Sequence, residues 1–143
     1  MAMKKLWAAA AFCAAMLAVP SIGMSAETTL TVSMIGPGGH SNGDYGNTNA
    51  VHAGARAAMA IAKAVPDAVI SGMQGGVSVN AIAGDCSFTV TLTGDDAAVK
   101  ADEEKVRKAV AEGVAAENAL RGVKKGDQVK GVPAEIRAVV QKN

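Results

Sequence analysis

Cys86-Ser87-Phe88-Thr89-Val90-Thr91-Leu92-Thr93 alternates apolar and hydroxyl side chains without a break. A period of two puts Cys86, Phe88, Val90 and Leu92 on one face of a strand and the hydroxyls on the other, so the strand belongs to a sheet with one buried and one open side. Upstream, Thr29 to Met34 repeats the pattern, with Leu30, Val32 and Met34 facing in and Thr29, Thr31 and Ser33 facing out. A sheet that hides only one face needs a covering layer, and the segments between and after these strands supply it.

The first cover is a helix from the cap Asn49 to Ala64, where Val51, Ala55, Ala58 and Ile61 or Ala62 recur at helical spacing before Val65-Pro66 stops it. Its stripe is made of small residues, which permits close packing. Ala68 to Met73 is a short apolar run ahead of Gly75-Gly76 and reads as a strand. After Thr93, Asp95 or Asp96 caps a long helix from Ala97 to about Leu120, with Val99, Val106, Val110 and Val114 on one stripe. Glu103 with Arg107 and Glu104 with Lys108 stand at i, i+4 outside that stripe. The chain turns at Gly122 and Gly126, and Ala134, Ile136, Ala138 and Val140 then form a closing strand, unless Pro133 opens a short helix there. The order βαββαβ predicts an α+β, two-layer ferredoxin-like sandwich: an antiparallel four-stranded sheet with two helices on one face.

At the N-terminus, Lys4 and Lys5 precede an apolar run from Leu6 to Val19, followed by Pro20 and small residues to Met24-Ser25-Ala26. That layout predicts a secretory signal peptide over residues 1–26, cleaved after Ala26, and a periplasmic or secreted protein with no membrane attachment after cleavage. The run is too short to span a bilayer comfortably. Residues 27–143 then make one domain. Loss of Trp7 and Phe12 leaves Tyr45 and Phe88 as its aromatics, so the core is aliphatic and thin, and a partner covering more apolar area is a natural source of stability.

Charge argues against nucleic acid. Without Lys4 and Lys5 the balance is 12 basic to 13 acidic residues, and the locally basic stretch from Arg121 to Lys142 reads as a solvated loop and edge. Cys86 is the one cysteine left after cleavage, so it has no intrachain disulfide partner and reads as a buried small hydrophobe.

A hydrolytic zinc site needs about three protein ligands with a close-spaced pair among them. The chain has only His40 and His52, on different elements, and no H-x-D, H-x-x-x-H or H-E-x-x-H spacing. Adjacent Glu103 and Glu104 point about 100° apart on a helix and do not form a carboxylate pair. Ser41, Ser71 and Ser78 have no nucleophile elbow, and the glycine loop from Gly36 lacks the G-K-[ST] ending of a phosphate loop. No catalytic residue, metal ligand or cofactor is therefore assigned. His40, between glycines and Ser41, is the one loop side chain suited to bind an anion or polarise a carbonyl, while His52 reads as a surface residue.

Gly36-Pro37-Gly38-Gly39-His40-Ser41, with Gly46 and Asn49-Ala50 after it, resembles the start of the dimerisation or lid domain of the M20 zinc metallopeptidases. Gly75-Gly76-Val77-Ser78-Val79-Asn80-Ala81-Ile82 is similar to the same domain's turn between its middle strands, and the likeness spans about Thr28 to Leu120. The resemblance implies a ferredoxin-like lid that dimerises through its first helix and an edge strand, which makes Val51, Ala55, Ala58, Val69, Ile70 and Met73 interface candidates. It implies also that His40 reaches a partner subunit's active site and that Asn80 helps hold a substrate carboxylate. Three departures stand out. The family's zinc ligands and general-base glutamate have no counterparts in these 143 residues, Ala83 replaces a usual proline, and Thr93 replaces the arginine that clamps a carboxylate.

The expectation is a purpose-built exported, non-catalytic module that homodimerises. The first alternative is an accessory subunit that docks on a separate M20 metallopeptidase and offers His40 to its active site. The second is a stand-alone hydrolase with an unrecognised site.

Overall fold

A computed structural model describes residues 25–143, so all but the last two residues of the expected signal peptide lie outside the described residues. Four strands form the main sheet: β1 (Ala26–Ile35), β3 (Val69–Gln74), β5 (Asp85–Gly94) and β8 (Arg137–Lys142). Their spatial order is β3-β5-β1-β8, with every pairing antiparallel. The helices α1 (Ala50–Ala64) and α2 (Asp96–Leu120) cover one face. This is the expected α+β ferredoxin-like arrangement.

The register explains why one face stays open. Thr29 pairs with Thr91, Thr31 with Thr89 and Ser33 with Ser87, while Leu30, Val32 and Met34 pair with Val90, Phe88 and Cys86. A slip of one residue would exchange the two faces, so the alternation fixes the pairing. The apolar ranks meet Ile61, Val99, Val106, Val110 and Ile136 in a single core in which Phe88 is the one aromatic. Burying a side chain the size of Leu or Phe stabilises by about 1.5–3 kcal/mol, and the core has few of that size.

Both predicted helix caps form. Asn49 accepts from Val51 N–H and His52 N–H, and Asp95, rather than Asp96, accepts from Ala98 N–H. The buried face of α1 differs from the expected one: Ala50, Ala53, Gly54, Ala57 and Ile61 face the core, Ala55 and Ala62 are exposed, and Val51 and Ala58 are half-buried. Alanine falls on every side of this helix, so its pattern carries little contrast to set the phase. Close approach to α2 decides the orientation, because a Cβ on Gly113 would lie 2.6 Å from Ala57 N. On α2 the stripe holds as predicted and the Glu103–Arg107 pair forms at 2.7 Å, but Lys108 lies 4.0 Å from Glu112 rather than pairing with Glu104.

Three short additions join the framework. The two-residue strands β2 (Gly39–His40) and β4 (Ala81–Ile82) pair with each other. The strands β6 (Gln128–Val129) and β7 (Val132–Pro133) form a hairpin across Lys130-Gly131, both with positive φ, as a two-residue turn requires. Pro133 therefore lies in a strand and starts no helix. The predicted closing strand is present but begins only at Arg137. At the other edge, β3 has a register irregularity between Ser71 and Gln74, around Gly72. Within the described residues no helix is long and apolar enough to cross a membrane.

Candidate functional site

The β2–β4 pairing sets the two glycine-bearing motifs side by side. Gly39 faces Ile82 and His40 faces Ala81, while Gly36 N–H donates to Gly84 O at 2.8 Å and Ser41 N–H to Asn80 O at 2.9 Å. A Cβ on Gly38 would stand 3.3 Å from Gly84 Cα, so the two loops come this close only because both positions lack side chains.

His40 and Asn80, the two residues singled out for binding, are brought together. Both are exposed, and the Asn80 side-chain amide lies 3.0 Å from His40 Nε2. On the other side of the ring, Nδ1 accepts from Asn42 N–H at 3.1 Å. A neutral imidazole has one donor and one acceptor, so its proton sits on Nε2 and the amide meets it through oxygen. Half a turn of the Asn80 amide satisfies this, since its nitrogen then donates to Ser78 Oγ at the same 2.8 Å contact. The outcome is a fixed ring with a defined tautomer on an exposed loop.

The loop is braced from below. His40 N–H donates to Asp44 Oδ2 at 2.8 Å, and Lys130, from the β6–β7 turn, donates to Asp44 Oδ1. The Lys130 hydrogen bond, followed by that from the His40 backbone, holds the Asp44 carboxyl below the usual carboxylate range. The basic segment after Arg121, read from sequence as loop and edge, thus contributes a specific contact to the His40 loop.

A second polar cluster lies where α1 starts. Glu117 of α2 is fully buried, and its Oε1 accepts from Asn49 N–H at 3.0 Å and from Arg121 Nε at 3.2 Å. Arg56 Nε stands 3.6 Å from Oε2, and His52 Nδ1 4.0 Å from Oε1. Oε2 has no hydrogen-bond partner among the described residues. Sequence reasoning missed this cluster, although a signal existed: Glu117 continues the stripe of Val106 and Val110 one helical repeat on. His52 is half-exposed, as expected of a surface residue, yet its ring nitrogen lies 3.5 Å from Arg121 Nη2.

His52 and Arg121 also line a cleft of about 220 Å³ with Ser41, Tyr45, Asn47 and Asn49. A neighbouring cleft of about 420 Å³ shares Asn49, His52 and Ala81 and reaches Ser78 and Val79. Among the described residues no group of three His, Cys, Asp or Glu side chains is placed to hold a metal ion. Burial, and secondarily the nearby Asp85, pushes the Cys86 thiol up, which removes its nucleophilic form at neutral pH.

The interface candidates fall into two groups. Val69 and Met73 on the edge strand are exposed, and Ile70 between them is half-buried. On α1, Val51, Ala55 and Ala58 point away from α2, since Arg56 and Ala60 are the residues that flank the groove beside Gly113 and Ala116. Met59, exposed on the outer surface of the same helix, escaped the sequence reading because it lies off the predicted stripe.

Residues 24–121 match the family model described as the peptidase dimerisation domain, that of the M20 peptidases. The chain belongs to this family. Among solved structures it is similar to a hydantoinase/carbamoylase family amidase from Burkholderia ambifaria, at 26% identity and a TM-score of 0.62 over 85% of this chain and 28% of that one. It is similar in fold to an aminobenzoyl-glutamate utilization protein from Klebsiella pneumoniae, at 19% identity and a TM-score of 0.63 over 82% and 28%. An amidase of the hydantoinase/carbamoylase family from Burkholderia multivorans aligns at 17% identity and a TM-score of 0.64, over 83% and 27%. The chain thus spans little more than a quarter of the length of these structures. No curated protein matches it. As a peptidase-related dimerisation domain it has a fold suited to association.

Proposed function

We propose that this chain is an exported, non-catalytic association module that pairs with a second copy through β3 and the adjoining face of α1. The observation that carries the reading is the uncovered sheet edge at β3, where Val69 is exposed by 59% and Met73 by 43%. An edge strand with apolar side chains is a template for pairing with another strand. The irregularity at Gly72 limits the regular ladder to Val69–Ser71, so the helix face must supply part of the contact area that a stable dimer needs.

Sedimentation of the full chain tests this. A dimer at micromolar concentration is expected, and Val69→Lys with Met73→Lys should return it to monomer while circular dichroism stays unchanged. A strict monomer for the unmodified protein excludes the reading. Export is checked separately by sequencing the N-terminus of protein recovered outside the cytoplasm, expected at Glu27.

A second reading rests on a different observation. The turn that carries Asn80 also projects Val77, exposed by 89%, and Val79, which is fully exposed, next to the fixed His40 ring. Such a tip suits docking on another protein, and a separate M20-type metallopeptidase that lacks its own lid is the partner of this reading, with His40 offered to its active site. Mixing with such a peptidase should raise its rate, and His40→Ala should abolish the gain. An unchanged rate on mixing rules the docking role out.

A further inference from the structure

We propose that Arg107 and Asn118 mask the outer edge of β8, so that an assembly joined through β3 ends there, and that removing them exposes a second surface for association between copies of this chain. The outer strands of the sheet are β3 and β8. In a dimer that joins two β3 strands about a two-fold axis, both remaining edges are β8. If that strand accepted partners freely, each dimer could add another at either end and growth would not close. The proposal rests on the β3 reading in this respect only.

Backbone parity identifies the groups at stake. Asn143 N–H donates to Thr29 O, and the register continues from Leu30 with Lys142 to Ile35 with Arg137. Antiparallel strands alternate pairs that exchange hydrogen bonds with pairs that do not, so Arg137, Val139 and Gln141 turn their backbone groups toward β1. Ala138, Val140 and Lys142 turn theirs outward, and Ile136 just ahead of them shares that phase. Two of these outward residues are occupied from α2. Arg107 Nη1 donates to Val140 O at 2.8 Å. Asn118 Nδ2 donates to Ile136 O at 3.2 Å, and its Oδ1 accepts from Ile136 N–H at 2.8 Å. The amide thus makes both hydrogen bonds that a neighbouring strand would make at Ile136.

The mask is anchored. Glu103 Oε1 accepts from Arg107 Nη2 at 2.7 Å and from its Nε at 3.2 Å, while Lys142 Nζ stands 3.5 Å from Glu103 Oε2. The guanidinium therefore leaves the edge only by breaking an ion pair. Along α2, Arg107 and Asn118 stand about 16 Å apart, close to the span of about 13 Å from Ile136 to Val140 on an extended chain. Between them lies a groove of about 480 Å³ lined by Val110, Ala111, Val114 and Ala115. A strand added to β8 would cover part of this apolar surface, so the edge becomes adhesive once its polar guards are gone. Charge separates the two edges further: β8 carries Arg137 and Lys142, whereas β3 carries no charged residue.

Sedimentation velocity of the full chain tests this, with the Arg107→Ala/Asn118→Ala double variant run beside the unmodified protein. The mass of the main species should at least double in the variant and climb with concentration, while the unmodified protein keeps one size over the same range. Adding Ala138→Pro removes an outward N–H, a change that an edge strand tolerates, and should return the original size. An unchanged mass in the double variant overturns the proposal, as does growth that survives Ala138→Pro. If the double variant loses its circular-dichroism signal, Arg107→Met decides, because it keeps an aliphatic stem over the groove and frees Val140 O alone; an unchanged mass there is equally fatal. A monomeric unmodified protein would defeat the β3 reading by itself. The double variant should then pass from monomer to dimer through β8, so the two failures are distinguishable.

Discussion

Asn80 and His40, 40 residues apart in sequence, meet through their side chains at 3.0 Å, and the ring's other nitrogen accepts from Asn42 N–H. The imidazole is therefore held from both sides, with its proton on Nε2. Long-range nitrogen–proton NMR should report the Nε2–H tautomer for His40 at a pH where the ring is neutral. Asn80→Ala should weaken that preference while changing stability by no more than about 0.5–1.5 kcal/mol, the net worth of one such hydrogen bond. A dominant Nδ1–H form in the unmodified protein would show that the ring is not held this way.

Asp44 links the same loop to the β6–β7 turn through Lys130. Its carboxyl is held below the ordinary value of 3.8, first by the Lys130 hydrogen bond and next by the His40 backbone. Because the folded value is depressed, the stabilisation is complete above the unfolded value and disappears as pH falls through the folded one. The stability difference between the unmodified chain and Lys130→Ala should be constant near neutral pH and shrink below 3.8. Thermal melts across that range measure it, and a difference independent of pH would assign the effect to packing instead.

Gly113 faces Ala57 where the helices cross, and a Cβ there would stand 2.6 Å from Ala57 N and 2.8 Å from its Cα. These are backbone atoms that cannot turn aside. Gly113→Ala should destabilise by about 1–3 kcal/mol through forced separation of α1 and α2. Gly43→Ala is the control, as its Cβ would meet nothing within 4 Å and its φ is not positive, so it should be neutral or slightly stabilising. Denaturant unfolding of both variants separates the effects.

The strands β1 and β5 are legible because hydroxyl and apolar residues alternate with full contrast, so that sequence alone fixes their faces and hence the layer order. The phase of α1 is not legible, because a helix of alanines looks alike from several sides until Gly113 and the core choose one. The β6–β7 hairpin escapes for another reason: strands of two residues have no period to detect, and only the Lys130-Gly131 turn marks them. His40 stands out as a histidine in a glycine loop and Asn80 only through the family's motif, neither through periodicity, and their contact depends on a pairing of two-residue strands that leaves no pattern. Glu117 shows the converse. A charge on a buried stripe is visible in sequence, but the two arginines that answer it come from a separate helix and a helix end.

Cys86 lies in the core beneath α1, and burial keeps its thiol protonated at neutral pH. In a Cys13→Ser background, native protein should leave a thiol reagent unreacted, and unfolding in guanidinium should release one equivalent. Rapid native labelling would mean that α1 opens readily from the sheet.

Glu117 is the group whose loss the fold should tolerate least. Glu117→Leu leaves Asn49 N–H without its acceptor and Arg56 and Arg121 without their common counter-ion. Breaking one side of a buried ion pair costs roughly 3–5 kcal/mol. Both arginines keep access to water here, with side chains exposed by 43% and 25%, so the loss should fall at the low end of that range. Glu117→Gln should cost less, since an amide oxygen can still accept from Asn49 N–H and Arg121 Nε. Arg56→Met should be milder again, because it removes the longer contact and leaves one carboxylate facing one guanidinium. The ranking Leu, then Gln, then Arg56→Met, read from urea midpoints with unchanged slopes, checks that the carboxylate joins α2 to the start of α1. Equal midpoints for Glu117→Leu and the unmodified chain would mean that packing alone holds the two helices at this end.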